Sequence, residues 1–170
     1  MITYIVVDTS YLVELFEVPG HFKESFATEI KARFKNATSQ GNKLYIPIPV
    51  LFELANHIAH VVDGNKRREL VIRFSETVKR GIDPEIAFIN IIPCAAFAVA
   101  SELSDNLEKF IQDFAEQFSK HGLGFTDSAI VLEARSLKKA HNQVHIWTLD
   151  KPLKPYEPDA EPDPFIGNRK

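Results

Sequence analysis

The chain is poor in residues that staple or punctuate a fold. Its 170 residues include one cysteine, Cys94, one tryptophan, Trp147, and only seven glycines. A lone cysteine excludes an internal disulfide and fits a reducing compartment. Long apolar runs are also missing. No stretch approaches the roughly 20 residues that a bilayer-spanning helix needs. The N-terminal apolar run is short and interrupted by Asp8 and Glu14, unlike a secretory leader. A soluble, cytoplasmic protein without membrane association is expected. There is little charge excess either: a net charge of −3 gives no global pull toward nucleic acid, so any such binding must come from a local basic patch. With 45% hydrophobic and 25% charged residues, the composition is that of one globular domain large enough to bury a core. No internal repeat is visible.

What is present is an alternation. Ile2 to Val7 is rich in β-branched and aromatic residues with almost no polar interruption, the pattern of a strand covered on both faces of a parallel sheet. Asp8 ends it, Thr9 and Ser10 suit the start of a helix, and Leu12, Val13, Leu15 and Phe16 continue at helical spacing. After the Pro19-Gly20 turn, Phe22 to Lys35 reads as an amphipathic helix. Leu44 to Ile48 reads as a short strand closed by Pro49, and Leu51 to Val62 as a helix with Glu53 in its first turn. Asp63-Gly64-Asn65 interrupts the pattern. Lys66 to Arg80 then resumes as a helix with Leu70, Val71, Phe74 and Val78 inward. Ile86 to Ile92 is a third strand.

Ala95 to Phe118 is helical in two parts, divided near Ser104 to Asn106. His121-Gly122-Leu123-Gly124 stops it, and Thr126-Asp127 opens another helix. Val144 to Leu149 is the last strand and, like the first, ends in a carboxylate, Asp150. Strands alternating with helices predict a three-layer α/β/α domain with a mainly parallel sheet of four or five strands over residues 1–150. Residues 151–170, rich in proline and acid, predict an extended or mobile tail.

Four acids fall where such a sheet gathers its ligands. Asp8 and Asp150 stand at strand exits, and Glu53 and Asp127 at the starts of helices that begin on the same rim. Singly, each has a commoner explanation: an N-cap for Asp127, a helix-dipole partner for Glu53, a turn residue for Asp8 or Asp150. The coincidence of all four carries the reading. Neighbouring carboxylates repel and raise one another's pKa unless a cation is present. Mg²⁺ or Mn²⁺ suits them, a hard ion held by a few carboxylates that retains bound water. Such an ion activates water and stabilises charge on a phosphoryl group, which implies phosphodiester hydrolysis. Thr148 offers a hydroxyl two residues before Asp150.

The stretches VVDTSYLVELF, PVLFELA, GFTDSAIV and IWTLD, in this order and context, resemble the four acidic motifs of the PIN-domain ribonucleases, closest to the VapC-type toxins of toxin–antitoxin pairs. The resemblance covers about Ile2 to Asp150. It implies a PIN-like fold and a Mg²⁺- or Mn²⁺-dependent endoribonuclease acting on RNA. The implied metal and catalytic set is Asp8, Glu53, Asp127 and Asp150, with Ser10 and Thr148 as supporting hydroxyls. A homodimer and a cognate antitoxin are the implied partners. The tail and the Lys151-Pro152-Leu153 segment fall outside the family pattern. The alternatives are an inactive PIN-like module that binds RNA or protein, and a phosphotransferase with an aspartyl nucleophile at Asp8.

Other signals are weaker. Lys66, Arg67, Arg68, Arg73, Lys79 and Arg80 make one helix basic, as a contact for RNA phosphates or a solvated face. His57 and His60 lack the spacing of a zinc protease motif. Cys94 reads as buried and inert, and Trp147 as core.

Overall fold

The computed structural model describes residues 2–83, 89–92 and 103–167. Its strands are β1 (Tyr4–Val7), β2 (Lys43–Pro47), β3 (Ile89–Ile92) and β4 (Val144–Trp147). Its helices are α1 (Thr9–Leu15), α2 (Glu24–Ser39), α3 (Ile48–Ala59), α4 (Gly64–Gly81), α5 (Leu103–Asp113) and α6 (Phe125–Ala140). The strands form one all-parallel sheet in the order β3-β2-β1-β4, in a three-layer α/β/α arrangement. The chain steps outward from β1 through β2 to β3, then crosses back to place β4 on the other side of β1. The order therefore reverses between β1 and β4, and ligand crevices of open α/β sheets form outside the carboxyl ends of the strands at such a point.

The sheet is apolar on both faces because helices cover both. Ile5, Val6, Val7, Leu44, Ile46, Val144 and Ile146 are all at most 2% exposed. On one face α6 packs across β1, β2 and β4, and Tyr4 stacks on His141 just beyond that helix, ring centroids 3.5 Å apart. Ile5 and Trp147 point the other way, toward α2. Trp147 is core, between Tyr11 and Phe34. Among the described residues no helix is long and apolar enough to cross a membrane.

Several boundaries differ from expectation. Pro49 does not mark a strand exit. It sits in the first turn of α3, where a missing N–H costs nothing, so the helix starts at Ile48 and Glu53 falls in its second turn, not its first. Asp63 is not a simple break but the N-cap of α4, its side chain accepting from the backbone N–H groups of Asn65 and Lys66. Val71, expected inward, is 47% exposed, and Leu70 supplies the buried contact. Helix α5 runs unbroken through 104–106, and the chain widens instead into a π-turn at Phe114–Phe118. Gly122, at φ 74°, then ends the unit in a left-handed conformation that glycine adopts freely. The predicted helix from Ala96, the first part of the strand from Ile86, and Cys94 lie outside the described residues.

The segment 151–167 is extended in part but not loose. Leu153 is fully buried. The segment runs beside β4, whose outer edge would otherwise leave backbone groups unpaired. Val144 N donates to Asp159 Oδ2 and Ile146 N to Glu157 Oε2, while the Ile146 carbonyl accepts from Lys154 Nζ at 2.9 Å. The Val144 carbonyl in turn accepts the Asp159 backbone N–H at 3.2 Å, so three side chains and one backbone group take the place of a fifth strand. Lys154 Nζ also holds Glu157 and Glu161, each at 2.7 Å, and Tyr11 Oη donates to the Phe165 carbonyl.

Candidate active site

The exits of β1 and β4 meet through the Asp8 N–H, which donates to the Trp147 carbonyl at 2.9 Å. Asp8 is the N-cap residue of α1, yet its carboxylate makes no capping bond. It turns instead toward two hydroxyls. Ser10 Oγ and Thr148 Oγ1 both donate to Asp8 Oδ2, at 2.5 and 2.8 Å. Each hydroxyl is itself fixed by a backbone donor, Ser10 by Leu149 N and Thr148 by Asp150 N, both at 2.9 Å. Two relays from the β4 exit therefore converge on one carboxylate oxygen, each hydroxyl oriented by the N–H it accepts. Thr9, read from the sequence only as a helix starter, donates from Oγ1 to Glu53 Oε2 at 2.8 Å and ties α1 to α3. Its place beside Asp8 was the only available signal.

Asp127 arrives from α6. Its Oδ2 accepts the Gly124 N–H at 2.8 Å, a capping-box contact at the first turn. Asp8, Ser10, Glu53, Asp127, Asp150 and Lys151 line a single cleft of about 400 Å³. All four predicted acids and Ser10 are therefore together, with Thr148 buried directly behind Asp8. Among the described residues none of the four acids forms an ion pair.

The electrostatics follow. Burial pushes the Asp127 carboxyl up to about 6. The Gly124 N–H works against this, and the charges of Asp8, Asp150 and Glu53 add to it. Asp8 is also raised, chiefly by burial, with the Ser10 and Thr148 hydroxyls opposing. The site is a concentration of negative charge in which Lys151 lines the cleft but, among the described residues, pairs with none of the four acids. Its donors are carboxylate and hydroxyl oxygens without histidine or thiolate, a set that fits a hard divalent ion such as Mg²⁺ or Mn²⁺ better than zinc. Among the described residues, no three His, Cys, Asp or Glu side chains stand as a ready-made metal-binding group.

No protein-family model matches the chain, and no curated protein matches it significantly.

The basic residues of α4 do not line this cleft. Arg67 Nη1 donates to the Val61 carbonyl and Arg73 Nη2 to that of Leu15, both at 2.9 Å, and the Arg73 guanidinium lies over Phe16. Lys66 pairs with Glu69, and Arg68 is exposed. His60 is exposed, while His57 meets His21 edge-on.

Proposed function

We propose that the chain is a divalent-metal-dependent endoribonuclease of the PIN-domain type, resembling the VapC toxins. The single observation that carries this reading is the gathering of Asp8, Glu53, Asp127 and Asp150, from four separate stretches of the chain, around one cleft. Asp8, Glu53, Asp127 and Asp150 would hold Mg²⁺ or Mn²⁺, which when bound activates water and offsets charge on the phosphoryl oxygens. The protein's own contribution is positional. Ser10 and Thr148 fix the Asp8 carboxylate, Thr9 fixes Glu53, and the Gly124 N–H fixes Asp127. The expected context is a cytoplasmic homodimer with RNA as substrate and an antitoxin as partner.

The test is cleavage of a structured RNA with Mg²⁺ or Mn²⁺ by the wild type and by Asp8→Asn and Asp127→Asn. Both variants are expected to fall to background, and Thr148→Val to lose about 10- to 100-fold, as outer-shell partners of metal ligands do. Equal cutting by wild type and both Asn variants overturns the assignment. A second reading is a PIN-like binding module for RNA or protein without catalysis. It predicts no uptake in calorimetric titration with Mn²⁺.

A further inference from the structure

The acidic cleft has one basic side chain among its described lining residues, Lys151, in the short stretch where the sequence leaves the PIN pattern. Lys151 is exposed. Among the described residues its ammonium forms neither an ion pair nor a hydrogen bond, although four carboxylates share its cleft. Neutral donors orient those acids instead: the Ser10 and Thr148 hydroxyls on Asp8, Thr9 on Glu53 and the Gly124 N–H on Asp127. Three residues on, Lys154 is buried and donates to the Ile146 carbonyl, Glu157 and Glu161. The same segment therefore commits one ammonium to the fold and leaves the other in the cleft.

The backbone that carries Lys151 is fixed on both sides. Asp150 N donates to Thr148 Oγ1 at 2.9 Å, and the Asp150 carbonyl accepts from Leu153 N and Lys154 N, both at 3.2 Å. Pro152 locks its own φ, and Leu153 is fully buried. Lys151 thus leaves the chain from a pinned turn at the β4 exit, so less freedom is lost when its side chain engages a ligand.

An RNA strand brings a negative charge with every phosphate to a cleft already rich in it. Four carboxylates outweigh one divalent ion, so a bound Mg²⁺ or Mn²⁺ does not by itself make the cleft attractive to an anion. An ammonium that is not tied to the acids supplies the remaining attraction.

We propose that Lys151 holds the substrate strand at the acidic cleft, its ammonium donating to a non-bridging phosphate oxygen. This rests on the nuclease reading of the same cleft. A phosphate contact carries no base information, so it acts alike on RNAs of different sequence.

The test is fluorescence anisotropy of a labelled single-stranded RNA titrated with the full chain over a range of salt, in chelator so that nothing is cut. Asp127→Asn, which removes one repelling charge, serves as the parent. Added to it, Lys151→Met is expected to weaken binding at least about fivefold. It is also expected to flatten the dependence of log affinity on log salt by about 0.7, the share of one phosphate contact on a single strand. Lys151→Arg keeps the charge and is expected to restore both. Lys35→Met takes the same charge from an exposed position on α2 and is expected to change neither, with circular dichroism checking that each variant is folded. No RNA binding by the parent overturns the proposal. So does a Lys151→Met variant with the affinity and salt dependence of the parent, or an equal loss in Lys35→Met, which would mean net charge alone. The nuclease reading fails separately: RNA held through Lys151 but left uncut by the wild type with Mg²⁺ or Mn²⁺ ends that reading and leaves the phosphate contact standing.

Discussion

Two groups of carboxylates, on either side of β4, meet opposite fates. Glu157, Asp159 and Glu161 are held by Lys154, Lys138 and Arg33, and the Lys138 ammonium draws the Asp159 carboxyl below its usual range. Among the described residues Asp8, Glu53, Asp127 and Asp150 form no ion pair, and the carboxyls of Asp8 and Asp127 are pushed up. Residue type is the same in both groups. The difference is whether the chain supplies the compensating cation, and an acid group left without one is a candidate for an external ion.

The sharpest way to break the comparison is to remove a cation from the compensated side. Lys154→Met takes the ammonium from the largely buried Glu157 and leaves Glu161 with Arg33 alone, and is expected to destabilise the fold by on the order of 3 kcal/mol in urea unfolding. Adding Glu157→Gln and Glu161→Gln is expected to recover much of the loss. The converse is to supply the missing cation. Mn²⁺ at a hundred times its Kd is expected to stabilise the wild type by about 2.7 kcal/mol. A rise in melting temperature that is absent in Asp8→Asn checks this.

A smaller effect comes from removing the buried charge of Asp127 without adding an ion. The Asp127 carboxyl sits at about 6 in the fold against an ordinary value of 3.8, so the folded state holds its proton more tightly than the unfolded state does. Its contribution to stability is fully present below about pH 4 and is lost as pH rises through about 6. In chelator at pH 7.5, Asp127→Asn is therefore expected to be more stable than wild type by on the order of 1 kcal/mol, partial exposure screening the site. That gain should vanish near pH 4. The smallest change belongs to an exposed pair: Lys66→Ala breaks the bridge to Glu69 and is expected to alter stability by less than about 0.5 kcal/mol.

Much of this was legible in the chain. The apolar runs ending at Asp8 and Asp150 reported strands because burial on both faces removes alternation, and the acids at their exits reported the cleft because parallel topology brings such exits together. Glu53 was found but misplaced by a turn, since a proline after a strand reads equally as strand exit or first helical turn. The basic run on α4 was visible, but not that Arg67 and Arg73 are fastened to the carbonyls of Val61 and Leu15, contacts that no periodicity encodes. The hardest region was 151–167. It has no helical stripe, and its partners lie in β4, α2 and α6. One trace was available: Glu157, Asp159, Glu161 and Asp163 recur every second residue, the period of an extended chain laid along a strand.

The position of β4 beside β1 also sets a timetable. Asp8 receives its hydroxyl from Thr148 across 140 positions of sequence, so synthesis must have passed Thr148 before that carboxylate acquires its setting. A growing chain that has not yet reached Asp150 carries only an unfinished crevice.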